Sequence, residues 1–245
     1  GWSMSFDTLS VNDGTFRVSA YVWWNNWAYA EWSPEITYTV DNPLRITNVY
    51  VERNFITPIQ DGQNDTARFR YNLSEAATVS VKVYNQEGTL VRTLIDAQAQ
   101  ATGSQYVDFR GQNDQGASLP DGTYTVTVSG TDSSGNPAEA QSATVQVIND
   151  PVVVTSPTSG ATISGTATFT AATSPNISPN RVRFRYWTQA TGHRDLGDDN
   201  DGSDGWSMSF DTLSVNDGTF RVSAYVWWNN WAYAEWSPEI TYTVD

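Results

Sequence analysis

Apolar and polar residues alternate one by one through most of this chain, in short runs separated by turn-forming residues. In the run Phe220–Val226, Phe220, Val222, Ala224 and Val226 fall on one side, and Arg221, Ser223 and Tyr225 on the other. The run 181–187 has the same parity. Val182, Phe184 and Tyr186 point inward, while Arg181, Arg183, Arg185 and Trp187 point outward. A period of two marks a half-buried strand, because successive side chains leave a pleated strand on opposite faces. Gly, Pro, Asn and Asp punctuate these runs about every 8–12 residues, the spacing of a sandwich or barrel. No helical period of useful length appears. The pattern predicts an all-β protein.

A repeat divides the chain. Residues 1–41 match residues 205–245 at every position, an offset of 204. That identity implies a recent duplication or a window on a longer tandem array. The period exceeds the 20–50 residues of a solenoid unit and suits two domains of about 100 residues each. Two segments, TYTVDNP at 37–43 and VQVINDP at 145–151, each close a strand-like run and then place Pro after Asn or Asp. Proline fixes its own φ and restricts the residue before it, so both read as short, stiff linkers. They predict a fragment at 1–41, a domain at 42–150 and a second domain at 151–245. The fragment repeats the back half of the last domain and lacks the front half. Its partner strands are expected from a preceding repeat in the same polypeptide, or from a neighbouring chain by strand exchange.

Two resemblances refine the fold. The middle domain carries DGQND at 61–65, YNLS at 71–74, VKVYNQEGTLVRTL at 81–94 and GASLPDGTY at 116–124. In that order they resemble the immunoglobulin-like domain of the flagellar hook-capping protein, over about residues 46–148. The segment DFRGQND at 108–114 departs from the family, which usually has a tryptophan there. The last domain carries SPTSG at 156–160 and WSMSFDTLSVNDGTF at 206–220. It is similar to the bacterial immunoglobulin-like repeats of adhesins and secreted enzymes. It departs after Val226, where WWNNWAYAEW replaces a short turn. The resemblances imply tandem immunoglobulin-like β-sandwiches joined by short proline-containing linkers, without catalytic residues.

Composition narrows the partners. The net charge is −14, and Lys82 is the only lysine. Such a surface repels nucleic acid and anionic membranes. No apolar run is long enough to span a bilayer. With no cysteine, each domain relies on its core rather than on disulfides. An extracellular or cell-surface location is the expectation.

The aromatic insertion is the main candidate for chemistry. Asn tolerates positive φ, so Asn229-Asn230 predicts a two-residue hairpin turn. That register sets Trp228 opposite Trp231, Trp227 opposite Ala232, Tyr225 opposite Ala234 and Ser223 opposite Trp236. Trp228 and Trp231 then extend the core side, while Tyr225, Trp227 and Trp236 lie outward. If 181–187 shares the sheet, Arg183, Arg185 and Trp187 join them, and cation–π stacking contributes roughly 0.5–2 kcal/mol per pair. Three uses fit this contact face of Arg183, Arg185, Trp187, Tyr225, Trp227, Trp228, Trp231 and Trp236. It closes the sandwich end, it binds copies of itself between repeats or chains, or it stacks on polysaccharide.

Other signals are weaker. DLGDDNDGSDG at 195–205 reads as an acidic loop, with Asp198, Asp199, Asp201 and Asp204 as candidate ligands for calcium. The EF-hand spacing fails there, and a solvated loop is the plainer reading. Asp61 and Asp65 form a second, weaker candidate. Asn64, Asn72 and Asn176 head N-glycosylation patterns. His193, the only histidine, sits in a hydrophilic stretch read as a loop, and no nucleophile elbow or Walker loop exists. Lys82 turns away from the core, against an isopeptide crosslink. The expected role is a non-enzymatic segment of an extracellular fibre or stalk. The alternative is a carbohydrate-binding or adhesive module of a larger secreted enzyme or adhesin.

Overall fold

The computed structural model describes residues 2–8, 11, 14–59 and 62–245. The first strands are β1 (Gly14–Val18), β2 (Tyr21–Trp24), β3 (Tyr29–Trp32) and β4 (Ile36–Val40). They form two antiparallel pairs, β1 with β4 and β2 with β3. Among the described residues no second sheet covers them, and Val18, Val22, Ile36 and Tyr38 are all exposed.

The next eight strands are β5 (Ile46–Val51), β6 (Phe55–Ile56), β7 (Ala67–Leu73), β8 (Ala77–Tyr84), β9 (Leu90–Gln100), β10 (Gly103–Phe109), β11 (Gly122–Thr131) and β12 (Gln141–Val147). One sheet has the order β10-β7-β5 and the other β6-β12-β11-β8-β9. Alternate residues of β7 and β8 are buried, so the two sheets close face to face over one core. Tyr71, Val79, Val81 and Val83 are fully enclosed. Lys82, between two of them, is not in that core.

The last nine strands are β13 (Val152–Ser156), β14 (Thr162–Ile163), β15 (Thr166–Thr173), β16 (Pro179–Thr188), β17 (Gly192–Asp199), β18 (Trp206–Asp211), β19 (Gly218–Trp228), β20 (Tyr233–Trp236) and β21 (Ile240–Val244). One sheet is β13-β15-β18, and the other is β14-β21-β19-β16-β17 with β20 added beside β19. Both sandwiches begin alike. The chain enters one sheet at β5 or β13, then crosses to the other at β6 or β14. There it pairs in parallel with the last strand of the sandwich. The parity expected of 181–187 and 220–226 holds. β16 and β19 are antiparallel neighbours, with Val182 opposite Val226 and Phe184 opposite Ala224, all four buried.

Two sequence expectations need correction. The acid-rich stretch is not all loop, because Asp195, Asp198 and Asp199 lie on β17, paired with β16. His193 lies on β17 as well, with its Nε2 2.7 Å from Glu239 Oε1. Gly197 gives that strand its irregular step. A register shift falls between Phe184 and Arg185 opposite it, and its φ is positive, at 158°.

The segment joining the sandwiches is held on both sides. Asn149 donates its backbone N–H to Asp121 Oδ1 (2.8 Å) and its side-chain amide to the Leu119 carbonyl (2.9 Å). Pro151 is buried, and its carbonyl accepts from Ser174 N–H. Earlier in the chain, Asn42 donates to the carbonyls of Thr8 and Val11, and Asn136 donates to Asp41.

Candidate functional site

The hairpin of β19 and β20 has a different register from the one expected. Tyr225 pairs with Trp236, Val226 with Glu235, Trp227 with Ala234 and Trp228 with Tyr233. The loop is therefore four residues long, Asn229 to Ala232, closed by Ala232 N–H to the Asn229 carbonyl (3.2 Å). Asn229, Asn230 and Trp231 all lie in the left-handed region, with φ of 53°, 52° and 70°. Two asparagines accept that conformation readily, whereas a bulky side chain there is an outlier. The Trp231 N–H donates to Asn180 Oδ1, which helps fix the turn.

The longer loop separates the tryptophans. Trp228 points inward and is buried. Trp231 does not extend the core side. It is half exposed and stands on the outer face beside Trp227, with ring centroids 6.1 Å apart.

That outer face is a ladder of rings and guanidinium groups. Tyr225 touches Trp227 and Trp236 at 4.5 and 4.4 Å between centroids. Arg185 lies 3.8 Å from the Trp236 ring, Arg183 5.4 Å from Trp227 and Arg181 4.5 Å from Trp231. Arg221 lies 4.5 Å from Trp187. Trp187, Tyr225, Trp227 and Trp236 are each partly buried. The Arg185 Nε and the Ser223 Oγ, opposite it on β19, are buried without a hydrogen-bond partner. The guanidinium itself stacks on the Trp236 ring.

Asp198 anchors the other two arginines. It accepts from Arg183 Nε and NH2 at 2.6 and 3.0 Å and from Arg181 NH1 at 2.9 Å. The hydrogen bond from Arg183, with the charges of both arginines, holds its carboxyl below the usual range. Asp199 accepts from the backbone of Asp201 and Ser207, and Asp201 accepts from Ser203 N–H. Among the described residues, no group of three acids or histidines comes together to hold a metal ion. Asp204 lies in a short 3-10 turn. Asp65 accepts from Gly62 N–H, and Asp61 lies outside the described residues.

The inward face of the hairpin meets the other sandwich. Phe55, on β6, packs edge-on against Trp228 and Tyr233 at 5.5 and 4.4 Å, and it belongs to the core cluster of the second sandwich. Beside it, Glu235 is 0% exposed. Its Oε2 accepts from Thr57 Oγ1 and from Asn64 Nδ2, each at 3.0 Å. Its Oε1 faces the Trp236 N–H at 3.2 Å. Thr57 is itself fully buried, and its N–H donates to the Asn64 carbonyl, which holds Thr57 and Asn64 together beside the glutamate. A buried carboxylate is tolerable because hydrogen bonds replace its water.

Glu235, Phe55 and Thr57 were not singled out by sequence. Asn64 was, but for its glycosylation pattern. Its amide nitrogen, the atom a glycan would take, is committed to Glu235. Asn72 lies on β7, paired with Ser104 and Thr47. Asn176 is exposed, beside the groove between Phe55 and Tyr233.

Residues 56–134 match the family described as FlgD Ig-like domain, and residues 151–224 match the family described as Bacterial Ig domain. Both sandwiches are immunoglobulin-like domains. No curated protein matches the chain. Among solved structures, the Clostridium thermocellum CbhA fibronectin(III)-like modules are 14% identical, over 38% of this chain and 93% of theirs, at a TM-score of 0.31. Dimeric latent PorU from Porphyromonas gingivalis is 14% identical, over 83% of this chain and 20% of its own, at 0.30. The chicken CNTN1 FN1-FN3 domains are 11% identical, over 92% and 76%, at 0.29. No helix of the described residues is long and apolar enough to cross a membrane. The aromatic hairpin of the second Ig-like domain thus has two faces: one docked on the first Ig-like domain, the other an open ladder of rings and arginines.

Proposed function

We propose that this chain is a non-enzymatic segment of an extracellular or cell-surface tandem-repeat protein, a fibre or stalk in which two kinds of Ig-like domain alternate with a 204-residue period. The observation that carries this reading is the junction. Phe55 seated between Trp228 and Tyr233, with Glu235 sealed under Thr57 and Asn64, ties one domain to the next. Loosely strung binding modules need no such lock, since domains joined by small interfaces move independently. The inward rings Trp228 and Tyr233 then serve contact between the two unlike domains, and the outer face is left for homotypic contact between repeats or chains. The high negative charge keeps such a rod hydrated and discourages clumping.

Electron microscopy of native material tests the proposal. At about 3.4 Å per residue, strands of ten residues give domains near 35 Å long, so a two-domain period extends about 70–80 Å. Filaments with an axial repeat near that length support the reading. Isolated particles one or two domains long count against it.

Adhesion is the second reading, and one feature favours it. Trp231 is held half exposed at a hairpin tip by a backbone conformation that tryptophan rarely adopts. A flat ring presented this way beside Trp227 suits stacking on the apolar face of a sugar.

A further inference from the structure

We infer that β1–β4 form a docking surface for the front half of an identical Ig-like domain, the segment 151–204 of a second copy of this repeat. The structure displays the fit, because the same 41 residues appear once with that partner and once without it. With it, β19 lies between β16 and β21, and β14 runs parallel to β21. Val222 and Val226 are then 0% exposed. Their counterparts Val18 and Val22 are each 53% exposed. Tyr242 is buried, with its hydroxyl on the Pro157 carbonyl at 2.9 Å, whereas Tyr38 lies open.

The backbone shows the same incompleteness. β19 runs unbroken from Gly218 to Trp228, but its copy divides at Ser19–Ala20 into β1 and β2. The local hydrogen bonds of the motif survive. Ala20 N–H donates to Ser33 Oγ and Ser33 N–H to the Ala20 carbonyl, as Ala224 and Ser237 do in the complete domain. Among the described residues, the edges that β16 and β14 would pair are both vacant. An uncovered strand edge beside an uncovered apolar face is a template for the strand that fits it. The register of that strand is given by Tyr186 opposite Val222 and Val182 opposite Val226. The occupant must lack its own back half, because a seat filled by 205–245 offers no edge. This inference stands on the packing alone and does not require the fibre reading.

Hydrogen exchange read by mass spectrometry tests it on the full 245-residue chain. Peptides common to both copies have one mass, so the protein alone gives two isotope envelopes, one fast and one slow. Synthetic 151–204 is added in one arm. In a second arm the same segment is joined ahead of Gly1, which removes dependence on peptide solubility. The fast envelope is expected to merge with the slow one in either arm, a slowing of at least about a hundredfold. In a chain with Val18→Asp and Val22→Asp, the altered peptides should stay fast while those of 205–245 stay slow. Two envelopes persisting in both arms would overturn the inference. So would a merger that the aspartate pair does not prevent.

Discussion

Replacing Glu235 with alanine is the most direct trial of the domain junction. The change removes a carboxylate that accepts two hydrogen bonds from the neighbouring domain. It strands the Thr57 hydroxyl, which is fully buried, and the half-buried Asn64 amide. Each donor left without a partner costs about 1–3 kcal/mol, so Glu235→Ala should destabilise the chain by roughly 3–5 kcal/mol. The chain supplies its own control, since Glu31 is the same residue in the same local sequence but lies exposed. Glu31→Ala should change stability by no more than about 0.5 kcal/mol. Urea denaturation followed by tryptophan fluorescence gives both values. A double-mutant cycle of Glu235→Ala with Asn64→Ala isolates the bond across the junction, for which a coupling of about 1–2 kcal/mol is expected. Equal effects of Glu31→Ala and Glu235→Ala would refute the reasoning. A coupling energy near zero would refute it too, because the glutamate would then stabilise only its own hairpin.

The remaining predictions are brief. If the outer ladder serves adhesion, sedimentation with insoluble polysaccharides should retain the chain and lose it on Trp231→Ala, with circular dichroism unchanged. Retention equal to that of the parent would dismiss Trp231 as a binding residue. Burial pushes the Tyr242 phenol up to about 12, so its neutral form is favoured in the folded state. The stabilisation is complete below the unfolded value near 10 and is lost as pH rises through 12. The urea midpoint should therefore fall over that window, and Tyr242→Phe should flatten the fall.

How far the sequence reveals this molecule depends on the range of the contact. Alternation along 181–187 and 220–226 reports faces directly, because side-chain parity is a local property of extended backbone. It placed Val182, Phe184, Val222 and Val226 inside without any knowledge of partners. The hairpin register was less legible. Asn229 and Asn230 announce positive φ, but nothing in the residue types says that Trp231 continues the left-handed run, and two more loop residues displace every pair. Asp195, Asp198 and Asp199 read as loop because acids are rare in strands. On β17 the arginines of β16 supply the compensation for Asp198. The junction was invisible for a different reason. Thr57 and Asn64 lie 178 and 171 residues from Glu235, and three polar residues at turns and strand ends carry no period. Only the docking of two folded domains makes them partners.

The duplicate stretch also bears on how such a chain assembles. Segment 151–204 could in principle close on either copy, and the wrong choice would thread residues 42–150 through a detached loop. Loop entropy alone disfavours that error by only about 3 kcal/mol, since the penalty grows with the logarithm of length. The stronger safeguard is the unlike sandwich between the duplicates. Once folded, it is a spacer that contacts the second domain through Phe55 and Thr57. Unlike modules strung in this order set the identical units apart in the chain, and mispairing between identical units is a known hazard of multidomain chains.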